Sequence, residues 1–67
     1  MAVYKKIEIV GTSKTSFAEA VKSAVAEAGK SLRKMSWFEV VEQRGAIKDG
    51  KVLEFQVTIR IGFKLDR

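Results

Sequence analysis

The sequence contains no cysteine and no histidine among its 67 residues. Without cysteine there is neither a disulfide nor a thiolate metal site, and the redox compartment is constrained only to the extent that a reducing cytoplasm is allowed. Without histidine the commonest zinc ligand and the commonest general base are missing. A long apolar run is also absent: nothing approaches the ~20 residues of a membrane span. The opening "MAVYKKIEIV" does not follow the basic, apolar, cleavage-site order of a secretory signal. The expectation is a soluble, cytoplasmic protein that is not an enzyme. "GTSKTS" at 11–16 lacks the glycine spacing and Lys-Ser/Thr ending of a phosphate loop, so that route to nucleotide chemistry is closed as well.

Length allows one domain, 1–67, and a core this small supplies only roughly 3–5 kcal/mol of net stability without a staple. With disulfides and thiolate metal sites excluded, self-association is the stabiliser that remains. The chain carries 13 Lys and Arg against 8 Asp and Glu, a net charge of +5. That excess fits a phosphorylated small ligand, an anionic surface or plain solubility. Glu and Lys are evenly mixed, and no basic stripe of the kind that tracks a phosphate backbone is visible. Nucleic acid and membrane are therefore not expected partners.

Residues 3–10, "VYKKIEIV", are rich in β-branched residues and read as a first strand. Ser16 followed by Glu19 fits a capping box. Phe17, Val21, Ala24, Ala28 and Leu32 recur at helical spacing, which predicts a helix from Ser16 to about Leu32 with a narrow, alanine-rich buried stripe. "MSWFEVVEQRG" at 35–45 reads as a second strand. Asp49-Gly50 is a strong hairpin signal, because both central residues of a type I′ turn need positive φ. Beyond it, Leu53, Phe55, Val57, Ile59, Ile61, Phe63 and Leu65 alternate with Glu54, Gln56, Thr58, Arg60 and Lys64, as expected for a strand with one buried and one polar face.

The order β-α-β-β then predicts an α+β fold, a three-stranded antiparallel sheet in strand order 1-3-2 with one helix across it. A helix of that length spans roughly 25 Å at ~1.5 Å per residue, whereas the third strand spans roughly 46 Å. The helix cannot cover its own sheet, and uncovered apolar surface of that kind marks a protein interface.

Counting back from an unbulged Asp49-Gly50 turn pairs Phe38 with Ile61, Trp37 with Gly62 and Glu39 with Arg60. Phe38 and Val40 then fall on the core side. Trp37 falls on the polar side with Glu39, Val41, Gln56, Thr58 and Arg60. A bulge at Arg44-Gly45 would reverse the faces below it. A tryptophan on a polar face is either an interface anchor or a stacking platform for a flat ligand. Gln56, with an amide that both donates and accepts, could meet the edge of such a ligand. Glu39 opposite Arg60 reads as a cross-strand ion pair.

"EIVGTS" at 8–13, "WFEV" at 37–40, "RG" at 44–45, "FQV" at 55–57 and "GFKL" at 62–65, in this order and over nearly the whole chain, resemble the dodecins. The resemblance implies a hollow twelve-subunit shell that stores flavins, sequesters them and protects against their photochemistry. Trp37 would stack on the isoalloxazine ring near a two-fold axis, two flavins lying between two tryptophans. Gln56 would hydrogen-bond the ring's polar edge, and Arg44 would lie near the site. FMN is the expected flavin, with riboflavin an alternative and coenzyme A a possible second ligand of the family. The competing reading is a structural or nucleic-acid-binding homo-oligomer in which Trp37 anchors an interface.

Overall fold

A computed structural model describes residues 2–65; Met1, Asp66 and Arg67, which the single-domain reading includes, lie outside the described residues. Four elements follow one another: β1 (Tyr4–Ser13), α1 (Phe17–Ala28), β2 (Met35–Lys48) and β3 (Lys51–Lys64). The strands form one sheet in the order β1-β3-β2, with both neighbouring pairs antiparallel. The predicted topology is the observed one. Asp49 and Gly50 both take positive φ, 53° and 75°, as the tight turn requires.

Several boundaries differ from the sequence reading, among them the second strand, which runs on from Gly45 to Lys48. β1 continues to Ser13, because Gly11, Thr12 and Ser13 pair with Val57, Gln56 and Phe55 of the central strand. The helix stops at Ala28, short of Leu32: Gly29 caps it, and Lys30 and Ser31 donate backwards to the carbonyls of Glu27 and Ala28 in a tightened last turn. At the other end only half of the capping box forms. Ser16 Oγ accepts the Glu19 N–H at 3.0 Å, while the Ser16 N–H is taken by Ser13 Oγ at 3.4 Å instead of by the Glu19 carboxylate.

The helix lies over β1 and β3. Its closest approach is at Gly11, which is buried beneath Ala20 and Ala24. A Cβ on Gly11 would run into the Ala20 carbonyl and the Ala24 methyl, so the small stripe of the helix and the bare backbone of the strand are two halves of one contact. Val57, Ile59 and Ile61 of β3 complete the buried core. Phe17 closes one end by packing edge-on against Phe55, ring centroids 5.0 Å apart.

Val57, Ile59 and Ile61, the largest fully buried side chains, make a small core for a body 51 Å long. The 12-residue helix covers only about 18 Å of that length. Beyond it Ile47, Val52 and Leu53 are exposed. Phe38, expected in the core, shares the helix-side face with Ile61 but is 50% exposed, as is Val40 at 46%. The reason is lateral: α1 sits on the other two strands, leaving an apolar groove lined by Ala18, Val21, Val25, Ala26 and Phe38.

The hairpin register shifts at three places. Leu53 is an extra residue in β3, where Ile47 pairs Val52 but Ala46 pairs Glu54; Val41 is an extra residue in β2, where Glu42 pairs Thr58 but Val40 pairs Ile59; Ser36 is extra between Met35 and Trp37. The first two cancel. Phe38 therefore faces Ile61 and Trp37 faces Gly62, as the unbulged count predicts, but Val41 does not share the face of Trp37 as a paired residue and Leu53 leaves the alternation of β3. Arg44-Gly45, where a bulge would have reversed the faces, is regular ladder, pairing Gln56 and Phe55.

Candidate functional site

The sheet face turned away from the helix carries Tyr4, Lys6, Glu8, Val10 and Thr12 from β1. It carries Glu54, Gln56, Thr58, Arg60 and Gly62 from β3, and Trp37, Glu39, Glu42 and Arg44 from β2, as the two registers place them. Two clusters stand on it.

The first is built around Trp37. Gly62 is buried, and the six-membered ring of the indole occupies the space that a Cβ on Gly62 would need. The absent side chain at 62 is thus what lets the indole settle onto the sheet backbone. Tyr4 flanks it, ring centroids 5.2 Å apart and planes inclined by 56°. Held on these two sides, the indole remains 42% exposed, enough for a flat ligand to lie against it.

Glu39, two residues along β2, completes this cluster. It does not pair with Arg60, its cross-strand neighbour. Lys6 Nζ reaches over β3 to Glu39 Oε1 at 2.6 Å, while Arg60 Nε donates to Glu8 Oε1 at 2.9 Å. The correction has a geometric cause. Arg60 sits in the central strand with an acid on each side, Glu8 and Glu39, and Lys6 claims the second. The Lys6 hydrogen bond, together with its charge, holds the Glu39 carboxyl below the ordinary carboxylate range; the indole N–H of Trp37 and the charge of Arg60 pull the same way, and partial burial opposes them.

The second cluster joins Arg44 and Gln56, directly opposite each other. Arg44 Nε donates to Gln56 Oε1 at 2.8 Å, and Gln56 Nε2 donates to Glu54 Oε1 at 2.9 Å. These bonds fix which end of the amide is oxygen. One lone pair and one N–H of Gln56 are left for a ligand. The Leu53 bulge makes the pair possible: counted back from the turn without it, Arg44 would face Phe55 and point to the helix side.

The three residues singled out in the sequence are therefore not brought together within one chain. Arg44 and Gln56 meet, but Trp37 lies across from Gly62, six residues further along β3, roughly 20 Å away. Sequence reasoning missed Tyr4 and Lys6, since no tight turn ties β1 to β3 and their register could not be counted. Among the described residues no group of three or more acidic, His or Cys side chains is placed to hold a metal ion, and no helix is long and apolar enough to cross a membrane.

Comparison with known proteins agrees with this fold throughout. The dodecin family profile matches residues 3–66. The chain is 48% identical to the dodecin of Thermus thermophilus over 96% of its own length and 93% of that protein's. It is 34% identical to the calcium dodecin of Mycobacterium tuberculosis over 97% of this chain and 92% of the other. The structure of dodecin from Streptomyces coelicolor superposes with a TM-score of 0.95 at 44% identity, covering 98% of this chain and 94% of that one.

Proposed function

The chain belongs to the dodecin family of small, non-enzymatic flavin-binding proteins whose homologues form oligomers, and from that premise we propose that it stores and sequesters a flavin against Trp37. The observation that carries this reading is the half-exposed indole seated on a side-chain-free backbone position, with Tyr4 beside it. Such a platform is rigid on one side and open on the other, as stacking on a planar ring demands.

A site using both clusters draws them from two subunits. With Trp37 and Gln56 roughly 20 Å apart along one strand, a second copy related by a two-fold axis brings its Arg44–Gln56 pair to the Trp37 of the first. The exposed apolar residues that the helix leaves uncovered give the self-association its driving force. The twelve-subunit shell of the family is the assembly we propose.

A bound flavin supplies a photoexcitable, electron-accepting ring. The chain's residues do the rest. Trp37 would stack on that ring, and its indole is the side chain that would serve as electron donor to the excited ring and so quench it. Gln56, its amide oriented by Arg44, hydrogen-bonds the ring's polar edge. FMN is the flavin proposed, because its phosphate complements a chain of net charge +5.

Gln56→Leu tests the edge contact. It leaves the polar edge unpaired and frees Arg44, and is expected to weaken FMN and riboflavin alike by about 1–3 kcal/mol. Isothermal titration of both flavins into the assembled variant reads this directly. Affinities equal to the unsubstituted protein's would remove Gln56 from the site, and an FMN affinity no higher than riboflavin's in the parent protein would remove the phosphate preference.

A further inference from the structure

Tyr4 and Trp37 stand on the two edge strands, with β3 between them. Edge strands of a three-stranded sheet run roughly 10 Å apart, yet the two rings meet with centroids 5.2 Å apart. Such a contact has to pass over the central strand, and it does so where that strand carries no side chain. Trp37 pairs with Gly62, and Tyr4 pairs with Lys64, the next residue of β3 on the same face. The indole fills the space above Gly62, and Tyr4 meets it there from the opposite edge. Lys6, the β1 residue directly opposite Gly62, is committed to Glu39. Among the described residues the Tyr4 hydroxyl makes no hydrogen bond, so what ties this side chain to the site is its ring.

The seat on Gly62 sets how closely the indole lies on the sheet. It leaves the torsion that turns the ring plane, which for tryptophan is broad and soft. A second ring against the flank of the first removes that freedom. The two planes are inclined by 56°, so Tyr4 braces the indole without lying flat over it, and the indole keeps an open surface. We propose that Tyr4 is the positioning residue of this site: it locks the plane of Trp37 in advance, so that a planar conjugated ring binds without first having to order the indole. Removing an ordering cost of this kind raises affinity without any new contact to the ligand. The inference deepens the storage reading and rests on it for the identity of the ligand, though not for the bracing of the indole. Tyr4 acts through Trp37, and phenylalanine supplies the same ring.

Trp37 is the only tryptophan, so the fluorescence anisotropy decay of the assembled, flavin-free protein follows this one ring. In the parent protein the decay is expected to track the tumbling of the assembly, with no sub-nanosecond component. Tyr4→Leu is expected to introduce that component and to weaken FMN binding about three- to tenfold. Size-exclusion chromatography should show the oligomer unchanged, because Tyr4 lies outside the buried core. Tyr4→Phe is expected to restore both the slow decay and the affinity. A freely turning indole in the parent protein would overturn the inference, and that measurement needs no substitution, so it decides the matter even where Tyr4→Leu does not assemble. A Tyr4→Leu protein that holds FMN as tightly as the parent would overturn it too, as would a Tyr4→Phe protein as weak as Tyr4→Leu. Failure of the parent protein to bind FMN while its indole is rigid would instead overturn the storage reading and leave the bracing of Trp37 standing.

Discussion

Trp37→Ala is expected to weaken FMN binding by about 2–4 kcal/mol, roughly 30- to 1,000-fold, while the oligomer stays assembled. The size follows from the geometry. The indole is the flat surface of the site, it packs on Gly62 and against Tyr4, and its loss leaves a ligand-sized hollow instead of a rearranged platform. Structural cost is small because Trp37 makes no contribution to the core of Ala20, Ala24, Val57, Ile59 and Ile61. Flavin titration alongside size-exclusion chromatography separates the two effects. A variant that falls apart but binds normally per folded subunit would make Trp37 an interface anchor, the competing reading, and would end the stacking role.

Gly11→Ala is expected to be the most damaging single-methyl change in the chain. The added Cβ has no room: it meets the Ala20 carbonyl and the Ala24 methyl, and the first of these belongs to the helix backbone, which cannot swing aside as a flexible side chain would. The helix must lift from β1, opening its closest contact over the small core. Overpacking of this kind costs about 1–3 kcal/mol and occasionally more, a large share of what a domain of this size has in reserve. Denaturant unfolding of the two proteins at equal subunit concentration, which controls for the contribution of assembly, measures it. Gly50→Ala provides the contrast, since nothing lies within 4 Å of its missing Cβ and only the positive φ of 75° resists the change. Equal midpoints for Gly11→Ala and the parent would show that the helix is not seated on that backbone.

The architecture was readable because the strongest signals were local. Asp49-Gly50 fixes a turn, the alternation from Phe55 to Phe63 fixes a central strand, and a helix too short for its sheet foretells exposed apolar surface. The bulges were not readable. Val41 and Leu53 are ordinary strand residues whose displacement depends on the pairing of the whole ladder, and because one sits in each strand they cancel, so the faces of Phe38 and Trp37 came out right over an intervening segment that is shifted by one. That shifted segment holds Arg44. Its place opposite Gln56 follows from the Leu53 bulge and from nothing in the spacing of "RG". The partner of Glu39 was misjudged for a related reason: cross-strand counting reaches only the neighbouring strand, whereas Lys6 reaches it from two strands away. Phe38 was placed on the correct face, but the lateral seat of the helix, set by Gly11 and Ala20, leaves it half uncovered.

The central claim, that Trp37 is the stacking surface of a flavin store, is tested most directly by titrating FMN into the assembled protein at fixed salt and following flavin fluorescence. Strong quenching that saturates at about one flavin per subunit is expected, as one open indole per chain requires. Undiminished fluorescence at saturating protein, from a sample shown to be folded and oligomeric, would contradict it.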